Sequence, residues 1–131
     1  MEFVSVIVAA IAAWVFGAVW YMSLARPWMT AAGIKAGPEG KPEGSSALPY
    51  ILSVIAMIIV AGMMRHTFVT SGVTTFGAGL VGGLGVGLFF ISPWIMINNA
   101  YGMRPFRLTL IDGGYATFGC AIMGAVLSLF A

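Results

Sequence analysis

The sequence predicts an all-α protein, a four-helix transmembrane bundle folded as two antiparallel hairpins with both termini on the exterior side. Three observations carry this prediction. Of the 131 residues, 60% are apolar and only 8% charged, against about 25% charged in an average soluble domain. The six Lys and Arg and the four Asp and Glu fall in clusters, with long uncharged runs between them. Mean hydropathy is +1.01, which leaves too little polar surface to coat a water-soluble globule. A soluble enzyme, a nucleic-acid-binding protein and a disordered chain are excluded together. The net charge of +2 reflects a membrane bias in the loops and implies no nucleic-acid partner.

The uncharged runs lie between Glu2 and Arg26, between Glu43 and Arg65, between Arg65 and Arg104, and after Asp112. A helix needs about 20 residues, at about 1.5 Å each, to cross about 30 Å of hydrocarbon. Each run therefore holds one span: about Phe3–Leu24, Pro49–Phe68, Val73–Ile97 and Pro105–Phe130, all within a single membrane domain, 1–131. Barrel strands would alternate strictly, and no such alternation is present. The first span has no Lys or Arg before it and exceeds the apolar length of a cleaved signal, so it is expected to remain as an anchor.

Orientation follows from Lys and Arg. Arg26, Lys35, Lys41, Arg104 and Arg107 lie after the first and third spans, and only Arg65 lies on the other side. Both hairpin loops are thereby placed in the cytoplasm. After the first span, Arg26-Pro27-Trp28-Met29 reads as an interfacial anchor or a short surface helix. Gly37 to Ser46 is rich in Gly, Pro and charge and reads as a flexible linker. Pro49 suits the first turn of the second span. The tight turns Thr70-Ser71-Gly72 and Ala100–Arg104 make their flanking helices adjacent.

Small residues recur every fourth position in three spans: Ser5, Ala9, Ala13 and Gly17; Gly79, Gly83 and Gly87; Ala116, Cys120, Gly124 and Ser128. Lipid supplies little hydrophobic force between helices, so close approach must hold them together, and small residues permit it. These stripes serve either contacts within the bundle or a dimer or partner-subunit interface.

Asp112 is the most informative acid. With a helix starting at Pro105 it lies about 10 Å deep at helical rise. A carboxylate there is protonated, pairs with a cation or faces water. Counting back across the turn places it near Ser92 and Pro93, and Pro93 frees a helical carbonyl. Asp112, Ser92, Pro93 and Asn98 form the expected polar intramembrane site. The alternative is a capping box, Thr109-x-x-Asp112, with the helix starting near Leu110.

Arg104 and Arg107, with Arg26 and Trp28, are expected at lipid headgroups; ion pairing of either arginine to Asp112 is second. Asn98 and Asn99 suit carbonyl capping or headgroup contact. His66 invites a metal or haem reading, yet no His/Cys/Asp/Glu cluster accompanies it, so no metal and no cofactor is expected. Cys120 is the single cysteine and reads as a packing residue. Trp14, Trp20-Tyr21, Trp28, Phe89-Phe90 and Trp94 read as interfacial or lipid-facing, with a hydrophobic ligand as the other use. No nucleophile–base pair, carboxylate dyad or phosphate loop is present, so catalysis is not expected.

Val15-Phe16-Gly17-Ala18-Val19-Trp20-Tyr21, followed by Trp28-Met29, resembles the opening of the bacterial domain-of-unknown-function family 1761. Arg104-Pro105, Leu110-Ile111-Asp112-Gly113-Gly114-Tyr115 and Met123-Gly124-Ala125-Val126-Leu127 resemble its last helix. The resemblance implies a small four-helix integral membrane protein and assigns no activity.

The expected function is non-catalytic: helix–helix association in the bacterial cytoplasmic (inner) membrane, as a homo-oligomer or as an accessory subunit of a larger complex, respiratory or photosynthetic. The alternative is a small transporter or channel subunit for a proton or small hydrophobic solute, using Asp112.

Overall fold

The computed structural model of the protein describes residues 2–37, 42, 44 and 46–131. Among them the helices are α1 (Glu2–Ser23), α2 (Ala25–Ala32), α3 (Leu48–Ser71), α4 (Phe76–Gly85), α5 (Ser92–Tyr101) and α6 (Phe106–Leu129). A π-helical turn, Val86–Ile91, joins α4 to α5. No strand forms among the described residues; one isolated bridge pairs Ala36 with Pro42. Four helical stretches are long and apolar enough to cross a membrane: Phe3–Ser23, Leu48–Ser71, Phe76–Tyr101 and Phe106–Leu129. Of the predicted linker, Pro38, Glu39, Gly40, Lys41, Glu43 and Ser45 lie outside the described residues.

Local chemistry moves several boundaries from their expected places. The second span continues past Phe68 to Ser71 because the hydroxyls of Thr67 and Thr70 bond back to the carbonyls of Met63 and His66, at 2.9 and 3.1 Å, and stay within the helix. Gly72 then ends it at φ 73°, a left-handed conformation suited to glycine, and Val73 N–H closes onto the Phe68 carbonyl at 2.9 Å. The third span therefore starts at Phe76, not Val73, with the Thr75 hydroxyl accepting from Ala78 N–H at 3.2 Å. It runs on to Tyr101, beyond the expected Ile97. In the turn that follows, the left-handed residue is Met103 at φ 57°, whereas Gly102 has φ −77°.

The short surface segment is a helix. α2 buries Met29 and Ala31 and leaves Arg26 and Thr30 exposed, the amphipathic pattern of a helix lying along an apolar surface. Gly33 ends it at φ 73°.

The helices are not equivalent. Half of the most apolar window of α6 is buried (50%), against 28% for α1 and 11% each for α3 and the Phe76–Tyr101 helix. α6 packs against α1 on one side and against α4, the π-turn and α5 on another, while α1 also packs against α3.

The small-residue stripes explain that central place. An added Cβ on Gly79 would lie 2.6 Å from Ser128 Cβ; on Gly83, 2.9 Å from the carbonyl carbon of Cys120; on Gly87, 2.7 Å from that of Ala116. Real Cβ atoms essentially never come that close. As numbers rise along the third span they fall along α6, so the two stripes face each other backbone to backbone. The first stripe also points inward. Ala9 and Ala13 are fully buried in a cluster with Ala61, Met64, Cys120 and Met123, and Gly17 lies beneath the Tyr115 ring. All three stripes are thus occupied by contacts within the chain.

Replacing Gly83 with Leu should lower stability by about 1–3 kcal/mol or more through overpacking, read as a lower thermal midpoint in detergent. Gly77→Leu, where an added Cβ meets nothing within 4 Å, should shift stability by less than about 0.5 kcal/mol. Equal shifts in both variants would contradict the packing described.

Candidate functional site

Helical spacing places Gly17, Trp20 and Tyr21 on one face of α1, three and four residues apart. The same rule sets Ile111, Gly114, Tyr115 and Phe118 together on α6. These faces interlock. The Tyr115 ring lies over Gly17, where a Cβ would come within 2.8 Å, and the Trp20 ring lies over Gly114, where a Cβ would come within 2.7 Å. Each helix offers a ring and receives one in a gap left by glycine.

Hydrogen bonds fix the interlock. The Trp20 indole donates to the Ile111 carbonyl at 2.9 Å, and Tyr21 OH donates to Asp112 Oδ1 at 2.7 Å. Tyr115 OH bonds to the Ala13 carbonyl on α1 and reaches Met57 Sδ on α3, both at 3.3 Å. One phenol thus ties three helices together. Around these bonds the rings are close: Phe16 and Tyr115 stack at 6.1 Å between centroids, and Tyr21 meets Tyr115 edge-on at 5.4 Å and Trp28 of α2 at 5.9 Å. Such edge and stacked contacts add about 0.5–1.5 kcal/mol each beyond burial.

Asp112 lies in the second turn of α6, six residues after Phe106. The capping-box alternative therefore does not apply: α6 starts before Thr109, which is buried within it and accepts from Asn99 Nδ2 at 3.2 Å. Asp112 is half-buried. Among the described residues no Lys, Arg or His pairs with it, so neither Arg104 nor Arg107 is its partner. Its bond comes from Tyr21, a residue expected at the lipid or interface.

The expected polar site divides in two. Ser92 does not meet Asp112. Its hydroxyl lies 2.7 Å from the Gly87 carbonyl, 3.1 Å from that of Gly113 and 3.2 Å from Thr117 Oγ1. Consecutive residues of α6 point about 100° apart, so Gly113 faces α5 while Asp112 faces α1. Pro93 stands in the first turn of α5, directly after the π-turn. There Ser92 N–H reaches the Gly87 carbonyl five residues back, a widened turn that accommodates the missing N–H of the proline. Asn98 is exposed; the amide that bridges to α6 belongs to Asn99.

Arg26, Arg104 and Arg107 are exposed and Trp28 is half-buried. Arg104 has a specific place: its guanidinium lies against Gly33, where an added Cβ would come within 2.5 Å of Nη1. A cation at the carbonyl end of α2 is favourable for the helix dipole. Trp14, read as interfacial or lipid-facing, is half-buried and donates to Ser53 on α3 at 2.8 Å. Phe89, Phe90 and Trp94 are exposed. His66 is exposed and Cys120 buried. Among the described residues no three His, Cys, Asp or Glu come together.

The class is now defined: an all-helical chain with membrane-length apolar helices around α6, carrying Asp112 and a set of interlocked aromatic rings within those helices. The chain belongs to the family described as Protein of unknown function (DUF1761), whose model matches residues 4–128. No curated protein and no solved structure matches the chain. The segments around Trp20-Tyr21 and Asp112–Tyr115, which carry the resemblance in the sequence, are the two that interlock.

Tyr21→Phe removes one bond to a carboxyl group and should lower stability by about 0.5–3 kcal/mol. The thermal midpoint in detergent reports the loss. Tyr101→Phe, 87% exposed, should leave that midpoint unchanged.

Proposed function

We propose that this protein is a non-catalytic integral membrane protein that moves a proton or a small hydrophobic solute by way of Asp112. One observation carries the reading: an acid within an apolar helix that holds a single hydrogen bond, from Tyr21, and no cationic partner among the described residues. Ionisable groups at such depth are costly and characteristically serve transfer pathways. The π-turn and Pro93 nearby add a broken helix of the kind transporters use at their sites.

The topology that goes with this reading is two antiparallel hairpins, with both termini outside and Arg26, Arg104 and Arg107 at the cytoplasmic face. Opposed numbering along the third span and α6 supports the second hairpin. The position of Arg104 against Gly33 supports a common side for the loops after the first and third spans. The bacterial cytoplasmic membrane is the location this arrangement fits, and lipid is the partner of every outward apolar face.

A second reading, association as a homo-oligomer or accessory subunit of a larger membrane complex, has its own observation. Gly77 and Gly85 on α4 and Gly62 on α3 have open space where a Cβ would stand, and α3 and the Phe76–Tyr101 helix leave broad apolar faces exposed. The inward stripes do not contribute to it, since they are already filled.

In proteoliposomes, Asp112→Asn should reduce proton or solute flux at least about tenfold, the effect of losing one essential acid–base group; undiminished flux would remove the basis of the first reading. Mass measured after gentle solubilisation tests the second, and a monomer that brings down no other chain would count against it.

A further inference from the structure

We propose that Asp112 and the rings beside it bind a monovalent organic cation, an ammonium or phosphonium centre on an apolar body. The inference rests on the Asp112 reading above and names its substrate class. Three features converge on this chemistry. The carboxyl group uses Oδ1 for Tyr21, while Oδ2 takes part in no hydrogen bond among the described residues. No fully buried side-chain oxygen or nitrogen lacks a partner among them, so Oδ2 of the half-buried Asp112 is not completely enclosed. Around it, Tyr21 stands between the rings of Tyr115 and Trp28, at 5.4 and 5.9 Å between centroids, and all three are only partly buried.

Aromatic faces attract cations, most strongly where water is thin. A carboxylate that is only half covered, inside a helix of membrane-spanning length, calls for a positive charge that no side chain among the described residues provides. Competing ligands fit less well. A divalent metal needs several oxygen or nitrogen donors, and no group of three His, Cys, Asp or Glu forms among the described residues. An anion meets the carboxylate first. A lipophilic monocation matches the charge, the rings and the apolar surroundings together. Trp28 has a particular part, because it comes from α2 and meets the ring of Tyr21, the residue that bonds Asp112. The exposed cations Arg26 of α2, Arg104 before α6 and Arg107 in its first turn make no ion pair with Asp112.

The test uses the full chain in detergent micelles, with tetraphenylphosphonium as probe and empty micelles as blank, followed by titration calorimetry and tryptophan fluorescence. Saturable binding at one site per chain is expected, weakened at least tenfold by Asp112→Asn and severalfold by Trp28→Ala, and unchanged by the exposed control Trp94→Ala. Helical circular dichroism confirms that each variant is folded; should Asp112→Asn fail to fold, the Trp28→Ala and Trp94→Ala pair decides. No saturable binding by the folded wild type, or equal binding by wild type, Asp112→Asn and Trp28→Ala, overturns the inference. Asp112-dependent proton flux without cation binding would overturn it while leaving the transport reading intact. Binding that depends on Asp112 without any flux would support the site and defeat transport.

Discussion

Close approach of backbones along α6 is the constraint on which the rest of this structure depends. Helices in lipid gain little from hiding apolar side chains, because the surrounding tails are as apolar as leucine. Dispersion contact at short range must do that work, and its reach is a few ångströms. α6 meets the third span through Gly79, Gly83 and Gly87, and meets α1 through Gly17 and Gly114. A single methyl at most of these places would stand where a neighbouring atom already is. The helix that spends most of its surface on such contacts is therefore the one at the centre.

The same constraint shapes the polar site. Trp20 and Tyr115 are large rings set into gaps left by glycines on the opposite helix, so the two helices are pinned in both rotation and height. That pinning brings Tyr21 OH to 2.7 Å from Asp112, a bond between groups 91 residues apart in sequence. The acid is thus held by packing and by the bond from Tyr21. Ser92 belongs to a separate device: its hydroxyl gathers Gly87, Gly113 and Thr117 where the third span is widened.

Much of the fold was legible because charge is so unevenly spread. The gaps between Glu2, Arg26, Arg65, Arg104 and Asp112 located the four apolar helices to within a few residues, and Arg26-Pro27-Trp28 marked the surface helix. Helix ends were less legible. Thr70 looked like a turn residue, yet its hydroxyl bonds within the helix, and Thr75 is the residue that starts the next one. The site was half legible. Asp112 stands out in any hydropathy profile, but its partner does not, since tyrosine near a span end usually marks an interface. The pairing of Gly17 with Tyr115 and Gly114 with Trp20 was written in the letters as matching rings and gaps on two helices. Nothing in one sequence says which gap receives which ring. Ser92 and Asp112 were joined by counting along the hairpin, a count that gives depth and leaves azimuth undetermined.

The widened turn from Val86 to Ile91 has a consequence for the whole second half of its helix. One additional residue is wound into that stretch, so everything beyond it is rotated by roughly 100° relative to an unbroken α-helix. That offset is what lets Gly87, Ser92 and Asn99 all address α6. Shortening the chain there by a single residue would restore an unbroken α-helix and leave Ser92 and Asn99 facing α6, whereas rewinding the same residues as α-helix without a deletion would turn the far end away, uncoupling Ser92 from Gly113 and Asn99 from Thr109. Those six residues act as a phase adjuster, and the alignment of the lower half of the molecule is stored in their winding.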